Sequence, residues 1–400
     1  MKNFVFISPN FPANYWLFCR ELKKNGLNVL GIGDQPYHEL SEDLKNSLNE
    51  YYKVSNLENE DEVYRAVAFL IFKYGRIDWL ESNNEYWLER DAKLRTDFNI
   101  KSGFQVKDIP RIKFKSKMKE YYRKTGTPVA RYHLVDNMDH TRAFIAEVGH
   151  PVVAKPDNGV GASHTFKIEN DRQLEEFFVE KENGTKYIME EFVNGEVNSY
   201  DAIIDSHGNP IFETGNVTPV SIMDIVNNED DSIFYILKNL PEDTRALGRT
   251  TVKSFGVKSR FVHFEFFRLL KDQQGLGKKG DLIALEVNMR PSGGVSPDMM
   301  DFAHSTDVYK IWADMIAFDK TELKPKEEAY CAFVGLRDNR EYRLGREDIM
   351  ERYGANIRMA ERIPDALSGA MGNQMYLATF PHRKELEAFY SDVLARREQA

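Results

Sequence analysis

Cysteine is almost absent from this 400-residue chain: Cys19 and Cys331 are its only two, far apart and without Cys-x-x-Cys spacing. That argues against a disulfide framework or a zinc site, and both thiols read as reduced packing residues. No stretch approaches about 18 uninterrupted apolar residues, and the opening apolar segment, Lys2 to Ile7, is too short for the core of a secretion signal. The expectation is a cytoplasmic protein without a membrane partner. Positive charge is in short supply too: 54 Lys and Arg against 63 Asp and Glu leave a net charge of −9, which argues against nucleic acid as a partner. The one basic stretch, Lys107 to Lys124, has only Phe114, Tyr121 and Tyr122 interleaved and reads mostly as a solvated face. Two motifs are missing. There is no Gly-x-Ser-x-Gly, and the first strand runs into Ser8-Pro9-Asn10-Phe11-Pro12 rather than a glycine-rich turn, so serine hydrolases and nicotinamide dehydrogenases have little support.

What is present centres on Leu285-Glu286-Val287-Asn288-Met289-Arg290-Pro291-Ser292-Gly293-Gly294. Alternate strand residues share a face, so Glu286, Asn288 and Arg290 are expected to project together while Leu285, Val287 and Met289 enter a core. Upstream, Phe261 to Phe267 is an apolar, aromatic strand whose only acid is Glu265. If the two strands pair across the turn Gln274 to Gly280, Glu265 faces Glu286, and two adjacent carboxylates repel unless a cation lies between them. Magnesium suits two glutamates and an asparagine, since it takes oxygen ligands and shares its shell with water and substrate phosphates. Manganese is an alternative. The bland reading, two solvent-facing acids on a hairpin, is weakened by apolar neighbours on both faces and by an asparagine of poor strand propensity.

At ordinary domain sizes of about 100 to 200 residues, the length implies two or three domains. Strand Phe4 to Ile7, a helix from about Ala13 to Asn25 and strand Asn28 to Ile32 make a β-α-β unit. Helix Glu60 to Tyr74, strand Ile77 to Glu81, loop Ser82 to Glu85 and helix Tyr86 to Phe98 continue a parallel, helix-covered sheet to about residue 110. A short helix from Lys115 to Gly126 precedes a strand around Arg131 to Val135 and a helix over about Met138 to Val148. Lys155 then sits on a strand leading into a small-residue loop, Gly159-Val160-Gly161-Ala162-Ser163-His164-Thr165, where a lysine and convergent backbone N–H groups can hold phosphates. Alone this is a weak signal, because Gly-x-Gly is more often only a turn. Strand Tyr187 to Glu191 ends at Phe192-Val193-Asn194-Gly195. Its end can offer backbone groups to an adenine edge, and Glu196 can accept both hydrogens of a ribose diol.

That order, lysine, lysine with glycine loop, acidic break, Glu, then Glu-x-Asn-x-Arg, resembles the ATP-grasp superfamily over about residues 1 to 320. The resemblance implies an α/β fold with an α+β lid, an N-terminal Rossmann-like domain over 1–112, an ATP-grasp domain over 113–324 with its lid at about 127–192, and a small C-terminal α/β domain over 325–400. It implies that Lys117 and Lys155 contact ATP phosphates beneath the loop bearing Gly159, Gly161 and Ser163. Glu190, with the backbone of Glu191 and Val193, would be the adenine-reading hinge, and Glu196 the ribose acid. Glu265, Glu286 and Asn288 would be the magnesium ligands and Arg290 the cation beside the transferred phosphate.

Neither a biotin-accepting segment nor a glutamine amidotransferase is visible, which points to a stand-alone carboxylate–amine ligase acting on small molecules, with a homodimer as a family-level expectation. The alternatives are a non-catalytic ATP-binding regulatory protein and a bicarbonate-using carboxylase. His263, beside Glu265, reads as a core-edge or supporting histidine rather than a base.

Overall fold

A computed structural model describes residues 1–159, 164–219 and 230–397. Its first sheet is parallel, with strands β1 (Asn3–Ile7), β2 (Asn28–Gly33), β3 (Glu50–Lys53) and β4 (Trp79–Glu81) in the order β3-β2-β1-β4. Every residue of β1 and β2 is buried, as expected for strands covered by helices on both faces. The first helix begins at Trp16, later than the apolar periodicity predicts, because Asn14 turns its amide outward to Asp298 Oδ2 at 2.7 Å and Tyr309 Oη at 3.0 Å. It ends before Gly26, whose φ of 80° suits the left-handed step out of a helix.

A second, smaller sheet holds β5 (Tyr132–Leu134), β6 (Val152–Pro156), β7 (Phe166–Ile168) and β8 (Tyr187–Glu191) in the order β5-β8-β6-β7, all antiparallel. It closes on its own core of Ile145, Val152, Leu174, Phe177, Tyr187 and Met189.

The third sheet has nine strands: β9 (Gly195–Ile204), β10 (Pro210–Thr214), β11 (Asn216–Thr218), β12 (Ser232–Ile236), β13 (Arg260–Leu269), β14 (Leu282–Asn288), β15 (Tyr330–Leu336), β16 (Ile357–Arg362) and β17 (Gln374–Phe380). The path runs β14-β13-β9-β11-β12-β15-β17-β16, with β10 on the free edge of β9. The C-terminal strands do not form a sheet of their own; β15 pairs with β12 over five residues and prolongs the large sheet. One face packs on the first sheet and on the helices Ser296–His304 and Val308–Phe318, around Phe4, Trp312 and Phe333. The other packs on helix Glu242–Phe255 through Tyr200, Phe264 and Phe266. Among the described residues, no helix is long and apolar enough to cross a membrane.

The pairing of β13 with β14 is the one anticipated, Glu265 opposite Glu286 and His263 opposite Asn288. Leu285 departs from expectation. Phe266 pairs with Ala284, so Leu285 is the extra residue of a β-bulge and is half-buried rather than in the core. The alternation resumes beyond it, with Val287 and Met289 at 1% and 0% exposure.

Candidate active site

Residues opposite one another on adjacent strands share a face. On the large sheet this collects Glu286 and Asn288 of β14, His263 and Glu265 of β13, and Ser199 and Asp201 of β9 into one polar row. The neighbours between them, Tyr200, Phe264 and Phe266, are buried on the opposite face and fix the backbone. Glu265 and Glu286 approach within hydrogen-bonding reach of each other. Burial alone would raise the Glu265 carboxyl, yet the His263 ring holds it below the usual carboxylate range. Burial would likewise lower His263, but Asp201 (Nδ1···Oδ1 2.8 Å) and Glu265 (Nε2···Oε1 3.2 Å) raise it to about 10.

Asn288 lies at 3.4 Å from Glu286 Oε1 and 3.5 Å from Arg290 Nη2, so the four side chains expected together are brought together. No three His, Cys, Asp or Glu side chains converge as a metal cage among the described residues. Asn288 turns its Nδ2 to Glu286 and its oxygen to Arg290, so two facing carboxylates with an amide beside them nonetheless match a magnesium that draws its remaining ligands from phosphate and water.

Two lysines face this row from the helix Lys115–Lys124 and from β6. Lys115 donates to the Gly159 carbonyl at 3.0 Å and stands 4.0 Å from Glu286 Oε2. Burial lowers its ammonium pKa, and the Lys155 charge adds to the lowering. Lys155 Nζ is 3.2 Å from Glu190 Oε2, and the buried Lys119 Nζ is 3.1 Å from Glu190 Oε1. Although burial opposes ionisation, these two lysines pull Glu190 down to about 2. Lys117 is not brought to the site: it is exposed and paired with Glu120 at 2.7 Å. The helical period explains this, since Lys115, Met118, Lys119 and Tyr122 make the buried face and Lys117 lies outside it. Gly161 and Ser163 lie outside the described residues.

The strand end at Glu191 is shaped by Arg131, which binds the Glu191 carboxylate through Nη2 (2.7 Å), Nε (3.1 Å) and its backbone N–H (2.6 Å). That N–H would otherwise close the ladder on the Glu191 carbonyl. The Glu191 carbonyl and the Val193 N–H have no hydrogen-bond partner among the described residues, and they are an acceptor and a donor two residues apart. Glu196 pairs across from Arg268 on the face of Asn198 and Tyr200, away from Glu265; its charge acts on Tyr235 and Arg383.

The far end of the row meets the C-terminal ends of β1 and β4, where open α/β sheets bind ligands. Ser8 and Asn83, each the first or second residue past a strand, both have φ of 55°. Glu85 Oε1 binds Lys113 at 2.8 Å, while its buried Oε2 has no hydrogen bond and lies 3.8 Å from Arg290 Nε. Asn83 Nδ2 and Asn10 Oδ1 are also buried and unpartnered. The sequence reading missed Lys115, Lys119, Asp201 and Glu85. Helical phase was the available signal for the first two; for Glu85 nothing local distinguishes it from any loop acid.

Residues 115–235 match the model of an ATP-grasp domain. The chain is 24% identical over 242 residues to an L-arginine-specific L-amino acid ligase of Bacillus subtilis, a match covering 58% of this chain and 56% of that protein. It is 25% identical over 253 residues to the N-terminal section of the carbamoyl phosphate synthase large chain of Methanopyrus kandleri, covering 59% of this chain and 42% of that one. The chain thus spans about half the length of these curated relatives. An L-amino acid ligase from Bacillus licheniformis superposes with a TM-score of 0.72 at 17% identity, over 100% of this chain and 99% of that one. N5-carboxyaminoimidazole synthetase from Staphylococcus aureus complexed with ADP gives 0.68 at 14% identity, over 97% and 95%.

Proposed function

We propose that this chain, whose fold is that of the ATP-grasp enzymes, is an ATP-dependent ligase that joins a small carboxylate to an amine through an acyl phosphate. The observation that carries the reading is Glu265 paired across the strands with Glu286, flanked by Asn288 and Arg290, with the buried Lys115 and the half-buried Lys155 beside them. Adenine would sit against the strand end, donating to the Glu191 carbonyl and accepting from the Val193 N–H. Lys155 and Lys115 would receive the phosphates. Glu190 holds Lys155 between β6 and β8 in the meantime, and Lys119 keeps Glu190 paired when Lys155 turns to a phosphate. Glu196, on the other face, and Lys117, in solvent, have less support than the other described residues of the set.

Glu265, Glu286 and Asn288 would hold magnesium, which when bound neutralises phosphate oxygens. A substrate carboxylate beside Arg290 attacks the γ-phosphorus, forming the acyl phosphate and releasing ADP. An amine nitrogen then attacks the acyl carbon, phosphate departs, and the amine loses a proton. The protein forms no covalent bond in this scheme; positioning and charge neutralisation by Arg290, Lys155 and Lys115 carry the rate. The ends of β1 and β4 favour an amino acid as the carboxylate donor, since the Glu85 oxygen 3.8 Å from Arg290 Nε and the Asn10 oxygen, neither of them hydrogen-bonded, are acceptors suited to an ammonium group.

The test is magnesium-dependent release of ADP and phosphate with pooled amino acids, amines and small carboxylic acids, followed by product mass. Release that requires one acid and one amine supports the ligase. Release with bicarbonate alone, or tight ATP binding with no turnover in any pool, overturns it. Glu286→Gln is expected to lower turnover at least about 100-fold, as loss of transition-state charge stabilisation commonly does.

A further inference from the structure

The polar row holds three side chains that the proposed chemistry leaves without a role, His263, Asp201 and Ser199. His263 is buried between Asp201, itself 0% exposed, and Glu265. Behind Asp201 stands Ser199, whose hydroxyl donates to the second Asp201 oxygen and accepts the Asn216 N–H at 2.8 Å. A carboxylate only accepts, so both ring nitrogens of His263 donate, one to each acid. The chain of contacts therefore has a direction: Ser199 fixes Asp201, Asp201 fixes the ring, and the ring fixes Glu265 Oε1.

Phe264 and Phe266, locked in the core on the reverse face, already immobilise the backbone on either side of Glu265. The remaining freedom is rotation of the Glu265 side chain, and the His263 ring removes it. Without that restraint, the carboxylate could turn toward Arg290, which lies on the same edge of the sheet and acts on it electrostatically.

We propose that His263, held by Asp201 and Ser199, is the positioning residue that orients Glu265 toward the cation and so sets the cation affinity of the site. This inference rests on the reading of Glu265 and Glu286 as cation ligands. Outer partners of a ligating carboxylate typically change metal affinity about 10- to 100-fold when removed.

The experiment uses the full chain with saturating ADP and titrates Mn2+, following the free ion by electron paramagnetic resonance; metal-free ADP affinity is measured alongside by calorimetry. His263→Leu is expected to weaken Mn2+ at least about tenfold with unchanged metal-free ADP affinity, and His263→Gln, which retains a donor toward Glu265, to recover part of the loss. If His263→Leu fails to fold, Asp201→Asn decides, with the same direction expected. Wild-type Mn2+ affinity in both His263→Leu and Asp201→Asn overturns the proposal. So does a parallel fall in Mn2+ and metal-free ADP binding, which marks a purely structural role. If the wild type binds ADP but no Mn2+, the assignment of Glu265 and Glu286 as ligands is what fails, and this inference falls with it.

Discussion

Lys115 and Lys117 are two residues apart, a rotation of about 200° on a helix. One is buried against Gly159 and Glu286, the other lies in solvent with Glu120. In the proposed role as a phosphate partner, loss of the charge costs about 1.5 to 3 kcal/mol, so Lys115→Ala should raise the KM for ATP about 10- to 100-fold. Lys117→Ala should leave it within about twofold, because an exposed ion pair is worth about 0 to 1 kcal/mol. Steady-state kinetics on the two variants checks the assignment. Glu190 supplies a pH prediction. Its folded pKa, about 2, lies below the ordinary value of about 4.3, so the carboxylate stabilises the fold above roughly pH 4 to 5 and loses that contribution as pH falls toward 2. Glu190→Gln strands the buried Lys119 and the half-buried Lys155 and should cost about 3 to 5 kcal/mol near neutrality. The difference in denaturation midpoint from wild type should shrink between about pH 4.5 and 2. A constant difference across that range would contradict the pairing.

At the scale of single elements, β14 shows what a sequence can and cannot disclose. Period-two alternation with one acid per strand was enough to anticipate Glu265 opposite Glu286, and the alternation places Val287 and Met289 correctly. Leu285 looks the same as its apolar neighbours, and only the register of the partner strand shows it to be a bulge residue. Met289→Ala should therefore cost about 2 to 5 kcal/mol, and Leu285→Ala less than about 1 kcal/mol, measured by urea unfolding. Deleting Leu285 removes the bulge but leaves Glu265 opposite Glu286 and Phe266 opposite Ala284, so Glu286, Asn288 and Arg290 should keep their face while the local bend is lost. The Lys115–Lys124 helix was misread in the same way, through phase: Met118 and Tyr122 mark the inward face that carries Lys115 and Lys119, and Lys117 lies off it. Glu85 and the unpartnered Asn10 and Asn83 were illegible for a different reason. Their meaning comes from loops 70 residues apart meeting at the ends of adjacent strands.

Across the whole molecule, the α/β fold class was legible, because apolar periodicity and glycine breaks report element type well. How the parts are joined was not. The first sheet is tied to the large one by Arg260 of β13, whose guanidinium binds Glu81 at the end of β4 and donates to the Met289 carbonyl at 2.6 Å; Arg95 adds a second cation at 3.4 Å from Glu81. All three side chains are buried. Removing one member leaves an uncompensated buried charge, so Arg260→Leu should cost about 3 to 5 kcal/mol. Calorimetry should register a lower unfolding temperature, whereas a surface control such as Arg172→Leu should register almost none.

The pairing of β15 with β12 carries a consequence for anyone who would divide this chain. A fragment ending near residue 324 looks like a natural nucleotide-binding module, yet it would strip the partner from Ser232-Ile233-Phe234-Tyr235-Ile236. That segment is short, apolar and aromatic, without proline or charge. Left as an open edge, it is a template for pairing with another molecule. The shortened protein should self-associate into sheet-rich aggregates instead of remaining a dispersed module, and the segment beyond residue 324 thereby acts as the guard on its solubility.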